Sequence, residues 1–207
     1  MRFLFFLIIL SFGFTQKSNG QFMESNFIYG NAGASAGNYF GIEGGINYIK
    51  NEKIYFGVNY SYRQNDANNE PYDYSAGFFG PYSVNNRHHS FIASTGYVMP
   101  LNTSKTIRLV LKGGAGLRLS QIPTNYQPIY NGSTWFSGKY YTHDYEDRYS
   151  VELTLNPALE FAFARGYGLS FSPVVSVGSD RTFFGASINN IFGIVRNRTK
   201  KVNQETE

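Results

Sequence analysis

The sequence predicts an all-β protein: an eight-stranded antiparallel up-and-down β-barrel whose strands cross a membrane. Three observations lead there. Apolar and polar residues alternate with a period of two along most of the chain, the signature of strands with two unlike faces. The connections between these segments alternate between short turns and long loops, as in barrels that cross a membrane. The chain starts like an exported protein yet has no cysteine, so it must be stable without the disulfides small exported domains often use.

Residues 1–20 read as a cleavable export signal. Arg2 is followed by the apolar run Phe3–Leu10, extended by Phe12 and Phe14, and then by Ser18, Asn19 and Gly20 before Gln21. The run is too short for a membrane-spanning helix, which needs about 20 apolar residues. No later run is long enough either, so a membrane protein built of helices is excluded.

The net charge of +4 does not indicate a nucleic-acid partner. Arg2 and Lys17 lie in the signal, and Arg196, Arg198, Lys200 and Lys201 lie in a basic tail, residues 195–207, with Glu205 and Glu207. The body between them carries equal numbers of basic and acidic side chains, so it has no field to attract phosphates. The 17 Tyr, 19 Phe and 22 Gly of the whole chain suit pleated strands and turns.

The strands follow in order across residues 21–194. The first, about Glu24–Ala34, is ambiguous, because Phe27/Tyr29 and Ile28/Ala32 compete for the outside. Then come Phe40–Tyr48, Ile54–Arg63, Ser90–Tyr97, Thr106–Ser120, Tyr149–Arg165, Leu169–Val177 and Phe184–Phe192. In Thr106–Ser120 one face is Ile107, Leu109, Leu111, Leu117 and Leu119, and all three charges lie on the other. Short connections are expected at 51–53, 100–105 and 165–168, and long ones at 64–88 and 121–148. The hairpins near 35–38 and 178–181 are short. Pro157 and Pro173 fall near each other across the turn at residue 166, so the ladder is expected to break there in one shared bulge or bend, near the periplasmic interface or with its free groups turned inward.

The charged face gives the main candidate site: Glu43, Arg63, Arg108, Lys112, Arg118, Glu152 and Glu160, all on faces read as interior. Hairpin arithmetic sets Arg118 near Glu152 and Glu160 between Arg108 and Lys112. An eight-stranded barrel is just wide enough for side chains to fill, so a paired plug is favoured over an ion channel.

The long loops give a second candidate, an external binding surface at Tyr72, Tyr74, Tyr82, Tyr126, Tyr130, Trp135, Tyr140 and Tyr141. Tyr and Trp offer contact area at low entropic cost. The bland alternative is a hairpin that continues above the membrane and packs its own rings.

His88, His89, His143 and Asp144 fit no metal-ligand spacing, and no cofactor motif is present. His88 and Ser90 vaguely resemble the His-x-Ser pair of outer-membrane lipid A deacylases. A lipid-cleaving pair should face lipid, whereas this one shares the inward face with Ile92.

With its signal peptide, a starting Gln21, eight alternating strands and an aromatic-rich last strand, the chain resembles the small Gram-negative outer-membrane proteins labelled porin family or outer membrane protein β-barrel domain. The resemblance implies an outer-membrane location after cleavage, contact with outer-membrane lipid, and periplasmic chaperones and the barrel-insertion machinery as partners. Members usually end on an outward aromatic; here Phe192 is the nearest, and fifteen residues follow it. The reading is a non-enzymatic barrel with a filled interior that stabilises the membrane or displays its loops. Its rival is a soluble secreted barrel carrying an apolar ligand, with the apolar face inward.

Overall fold

A computed structural model describes residues 25–74, 84–129 and 140–196. Nine strand segments occupy eight positions in a ring: β1 (Phe27–Gly37), β2 (Phe40–Lys50), β3 (Ile54–Asp66), β4 (Asn85–Pro100), β5 (Ile107–Ile129), β6 (Tyr140–Leu155), β7 (Ala158–Phe161), β8 (Tyr167–Gly178) and β9 (Thr182–Ile194). Every neighbour is antiparallel, and β1 pairs with β9 from Ile28↔Ile194 to Gly37↔Gly185, which closes the barrel. Closure leaves no free edge at the level of the ring.

Alternation decides which side chains face out. Ile46 is 69% exposed, Leu117 67% and Leu153 62%, and they join Ile42, Val58, Phe91, Leu155 and Ile188 in an apolar outer belt. The alternate positions hold Arg63, Arg108, Arg118, Glu152 and Glu160, all buried. This arrangement is inside-out for water and correct for lipid. The soluble rival required the opposite, so it is set aside.

The first strand resolves its ambiguity in favour of Ile28 and Ala32, which are exposed, while Phe27 and Tyr29 point inward and are buried. It also starts and ends later than expected, at Phe27 and Gly37. Much of the expected loop 121–148 is strand, because β5 runs on to Ile129 and β6 starts at Tyr140. The loop expected at 64–88 is likewise shortened by β3 and β4. Period-two patterning fades once both faces of a hairpin leave lipid, so these extensions carried no clear sequence signal.

The expected strand Tyr149–Arg165 is two segments, interrupted at Asn156 and Pro157. The break is not a bulge. Leu155↔Val175 and Leu159↔Phe171 keep one register across it, and so do Gly113↔Leu155 and Val110↔Ala158 on the other side. No residue is inserted; rungs are simply missing. Nor does the break lie at the periplasmic interface, because exposed Leu111, Leu155 and Phe171 surround it.

Candidate functional site

The barrel interior is built in levels. At the short-turn end, Phe27, Ile49, Val98, Val110, Ala158, Ala162, Ile191 and Val195 pack into an apolar cluster. Directly above, Arg108 Nε donates to Glu160 Oε2 at 2.7 Å and Tyr29 Oη to Glu160 Oε1 at 2.9 Å. Arg108 also donates to the Val195 carbonyl at 2.8 Å, which ties the end of β9 to the plug. Charge-assisted bonds of this kind are what make a buried guanidinium tolerable.

The middle level is polar and slightly open. Asn31, Glu43, Asn59, Lys112, Thr154 and Asn156 border a cavity of about 30 Å³, room for about one water. Lys112 lies over the Tyr55 ring at 5.2 Å, and Glu43 accepts from Asn189 Nδ2 at 2.6 Å.

The upper level centres on Glu152. Its Oε1 accepts from Arg63 Nη1 at 2.8 Å and from Ser176 Oγ. Its Oε2 accepts from Arg118 Nε at 3.1 Å and Ser90 Oγ at 2.5 Å. Glu152 and Arg118 are both 0% exposed. Phe183 supplies a ring face to both cations, 4.5 Å from the Arg118 guanidinium carbon and 5.2 Å from that of Arg63. Arg118 Nη1 reaches on to Asp180 Oδ1 at 3.0 Å, and Asp180 also accepts from Ser120 and Ser150. Gly178 makes room for this arm: a Cβ there would lie 2.7 Å from Arg118 Nη1.

Beyond this level no described strand pairs with the β5–β6 hairpin. β4 pairs with β5 as far as Gln121, and β8 pairs with β6 only over Glu152–Leu155. From Gln121 to Ile129 β5 rises roughly 25 Å along the strand. The loop after β3 leans against its outward face. Asn69 Nδ2 donates to the Pro123 carbonyl at 2.7 Å, Tyr141 Oη donates to Asp73 Oδ1 at 2.6 Å, and Arg87 covers the Tyr145 ring at 4.7 Å. Tyr126, Tyr141, His143 and Tyr145 form one run of ring contacts.

No protein-family model and no curated protein matches the chain. Solved structures do. Neisserial surface protein A is similar at 13% identity and a TM-score of 0.52, over 82% of this chain and 97% of that one. The N-terminal β-barrel domain of Pseudomonas aeruginosa OprF has 14% identity and a TM-score of 0.47, over 82% and 97%. The attachment invasion locus protein Ail of Yersinia pestis has 15% identity and a TM-score of 0.47, over 82% and 98%. The fold is that of a small bacterial outer-membrane β-barrel.

In an outer-membrane barrel the short turns face the periplasm and the longer loops face outward; the β5–β6 hairpin lies at the long-loop end. The seven charges predicted inside do not form a single network. Arg63, Arg118 and Glu152 meet in the upper level, and Arg108 and Glu160 in the lower. Lys112 does not join Glu160 as expected. Among the described residues it makes no ion pair; its neighbour along the wall, over Gly96, is the Tyr55 ring. Glu43 bonds to an amide and not to a cation.

Of the loop aromatics, Tyr72 is fully exposed, Tyr74 is half-buried, and Tyr126 and Tyr141 sit in the ring run. Tyr140 opens β6. Tyr82, Tyr130 and Trp135 lie outside the described residues.

His88 and Ser90 do not meet. His88 Nδ1 lies 2.9 Å from Ser120 Oγ, and Ser90 gives its proton to Glu152. Both serines are fully buried, so neither presents a nucleophile to lipid. His89 points outward between Tyr60 and Tyr62. No group of three potential metal ligands forms among the described residues.

Sequence reasoning missed Asp180, Tyr29 and Phe183. Asp180 lies in a turn, Tyr29 in the ambiguous strand, and an inward Phe between two guanidinium groups has no pattern of its own.

Proposed function

We propose that the protein is a sealed, non-enzymatic outer-membrane barrel whose outer hairpin and neighbouring loop serve as a contact surface. The observation that carries the sealed reading is the cluster around Glu152, where two buried guanidinium groups and two hydroxyls converge on one carboxylate. A solute would have to break several charge-assisted bonds at once to pass. The cavity below is water-sized, and an apolar cluster closes the other end. The contact-surface reading is supported by the height of the hairpin and by its aromatic face, held in place by the loop after β3. Engaged, buried serines support the non-enzymatic reading. Planar-bilayer recording tests the seal: no large steady conductance is expected, and stable open currents of the size of a general porin would overturn it. Lipid A acyl content in cells with and without the protein tests for catalysis and should be unchanged.

A further inference from the structure

The two edges of the outer hairpin are treated differently by the sequence. Just past the end of β6 the Asn156 amide donates to the Lys112 carbonyl, so even-numbered β6 residues bond to β5 and odd-numbered ones face the other way. On the β5 edge, two of the positions whose amides would face away from β6, on either side of the irregularity between Thr124 and Gln127, are Pro123 and Pro128, which have none. The Pro123 carbonyl is already taken by Asn69. That edge is blocked. On the β6 edge the corresponding residues are His143, Tyr145, Asp147 and Tyr149, with no proline among them. No strand of the described residues pairs with them, because β8 stops at Gly178, opposite Glu152.

We infer that the free edge of β6, from His143 to Tyr149, is a strand-addition site for an extended, basic segment of another protein. The inference rests on the contact-surface reading above and names the part of that surface that binds. An unpaired edge offers main-chain donors and acceptors at regular spacing, and flanking side chains select the partner. Here the exposed charges on β6 itself are Asp144, Glu146 and Asp147 against Arg148, which is paired with Glu146; with Arg87 of β4 over the Tyr145 ring, the edge keeps a net negative charge. A basic strand complements them. A second copy in the same membrane does not fit. Both copies would carry β6 in the same direction across the bilayer, whereas identical edges related by a two-fold axis match donor to acceptor only when they run antiparallel.

The test uses the full barrel in zwitterionic micelles and a labelled eight-residue peptide alternating Val and Lys. The Val-Lys peptide should bind, and binding should slow amide exchange at His143, Tyr145, Asp147 and Tyr149. A version with Pro at two central positions should bind at least tenfold more weakly. The double variant Asp144→Lys, Glu146→Lys should lose the Val-Lys peptide and gain its Val-Glu counterpart. Absence of Val-Lys binding overturns the inference. Equal binding of the proline version also overturns it, while leaving a side-chain contact surface intact. Antiparallel pairing of barrels from separate particles, seen as concentration-dependent association without peptide, would replace the basic partner with a second copy.

Discussion

Pro157 stands opposite Pro173, and the two missing amide protons face each other. Leu155↔Val175 and Leu159↔Phe171 fix the register that sets them opposite. The Asn156 amide points to β5, so the next position, Pro157, points to β8. The Gly178 amide points to β9, so Pro173 points back toward Pro157. A hydrogen-bonded pair normally exchanges two bonds, and this one can make neither. Grouping both prolines at one pair costs the barrel one pair of rungs. Apart, they would lose the same two bonds but weaken two pairs.

Restoring one donor should therefore restore one bond. Pro157→Val or Pro173→Val should each stabilise the folded barrel by about 1 kcal/mol, the usual net worth of a hydrogen bond, with the double variant gaining more. Amide exchange in micelles should slow at the new amide and at its neighbours. Unchanged fast exchange across residues 155–159 in the double variant would count against the facing-amide geometry.

Leu111→Arg should impair assembly far more than Gly113→Ala. Leu111 is outward and exposed within the apolar belt, where an Arg at the midplane costs roughly 2–4 kcal/mol. Gly113 is also outward, and an added Cβ would meet nothing closer than the Thr154 carbonyl at 3.5 Å. Ser120→Arg belongs with the damaging changes even though it faces inward near the loop end, because Ser120 is fully buried between His88 and Asp180. The heat-dependent gel shift of unboiled protein measures the folded fraction.

Much of the barrel was legible because lipid on one side and a narrow interior on the other impose strict alternation. That is why Leu111 and Lys112 sort to opposite faces on sight. Hairpin arithmetic brings Arg118 to Glu152 because a short-range pairing rule fixes both. Lys112 was misassigned because Glu160 stands directly opposite Arg108 in the register, while Lys112 lies level with Gly96 and Tyr55, and with no side chain on Gly96 between them the Tyr55 ring reaches it along the wall. Asp180 was invisible for a related reason. It belongs to the turn after β8, and only the three-dimensional fold of residues 178–182 brings its carboxylate down to Ser120 and Ser150.

Glu152→Gln should be among the most destabilising single changes. It leaves Arg63 and Arg118 buried, with their shared counter-charge gone. Removing one partner from a buried ion cluster typically costs about 3–5 kcal/mol. The triple change Arg63→Met, Glu152→Leu, Arg118→Met should recover most of that loss, because no charge is then stranded. Urea titration of refolding in micelles checks both; a triple variant as unstable as the single one would mean that packing, and not charge, governs this level.

Asp180 should give the upper level a response to acid. Burial by itself would raise its carboxyl, but the Ser120 and Ser150 hydroxyls and the Arg118 guanidinium outweigh it, and the group is held below its ordinary value. A carboxylate depressed in the folded state adds stability above its unfolded value and loses it as pH falls through the folded one. Wild-type barrel and Asp180→Asn should therefore differ in stability at neutral pH, keep that difference down to about pH 5, and converge in more acidic solution. The other interior carboxylates are common to both proteins, so the difference between the two curves isolates Asp180. The measurement is the rate at which each folded barrel is lost in urea at a series of pH values. A gap that stays constant to the lowest pH, or widens as the solution is acidified, would show that the carboxylate is not held down by these partners.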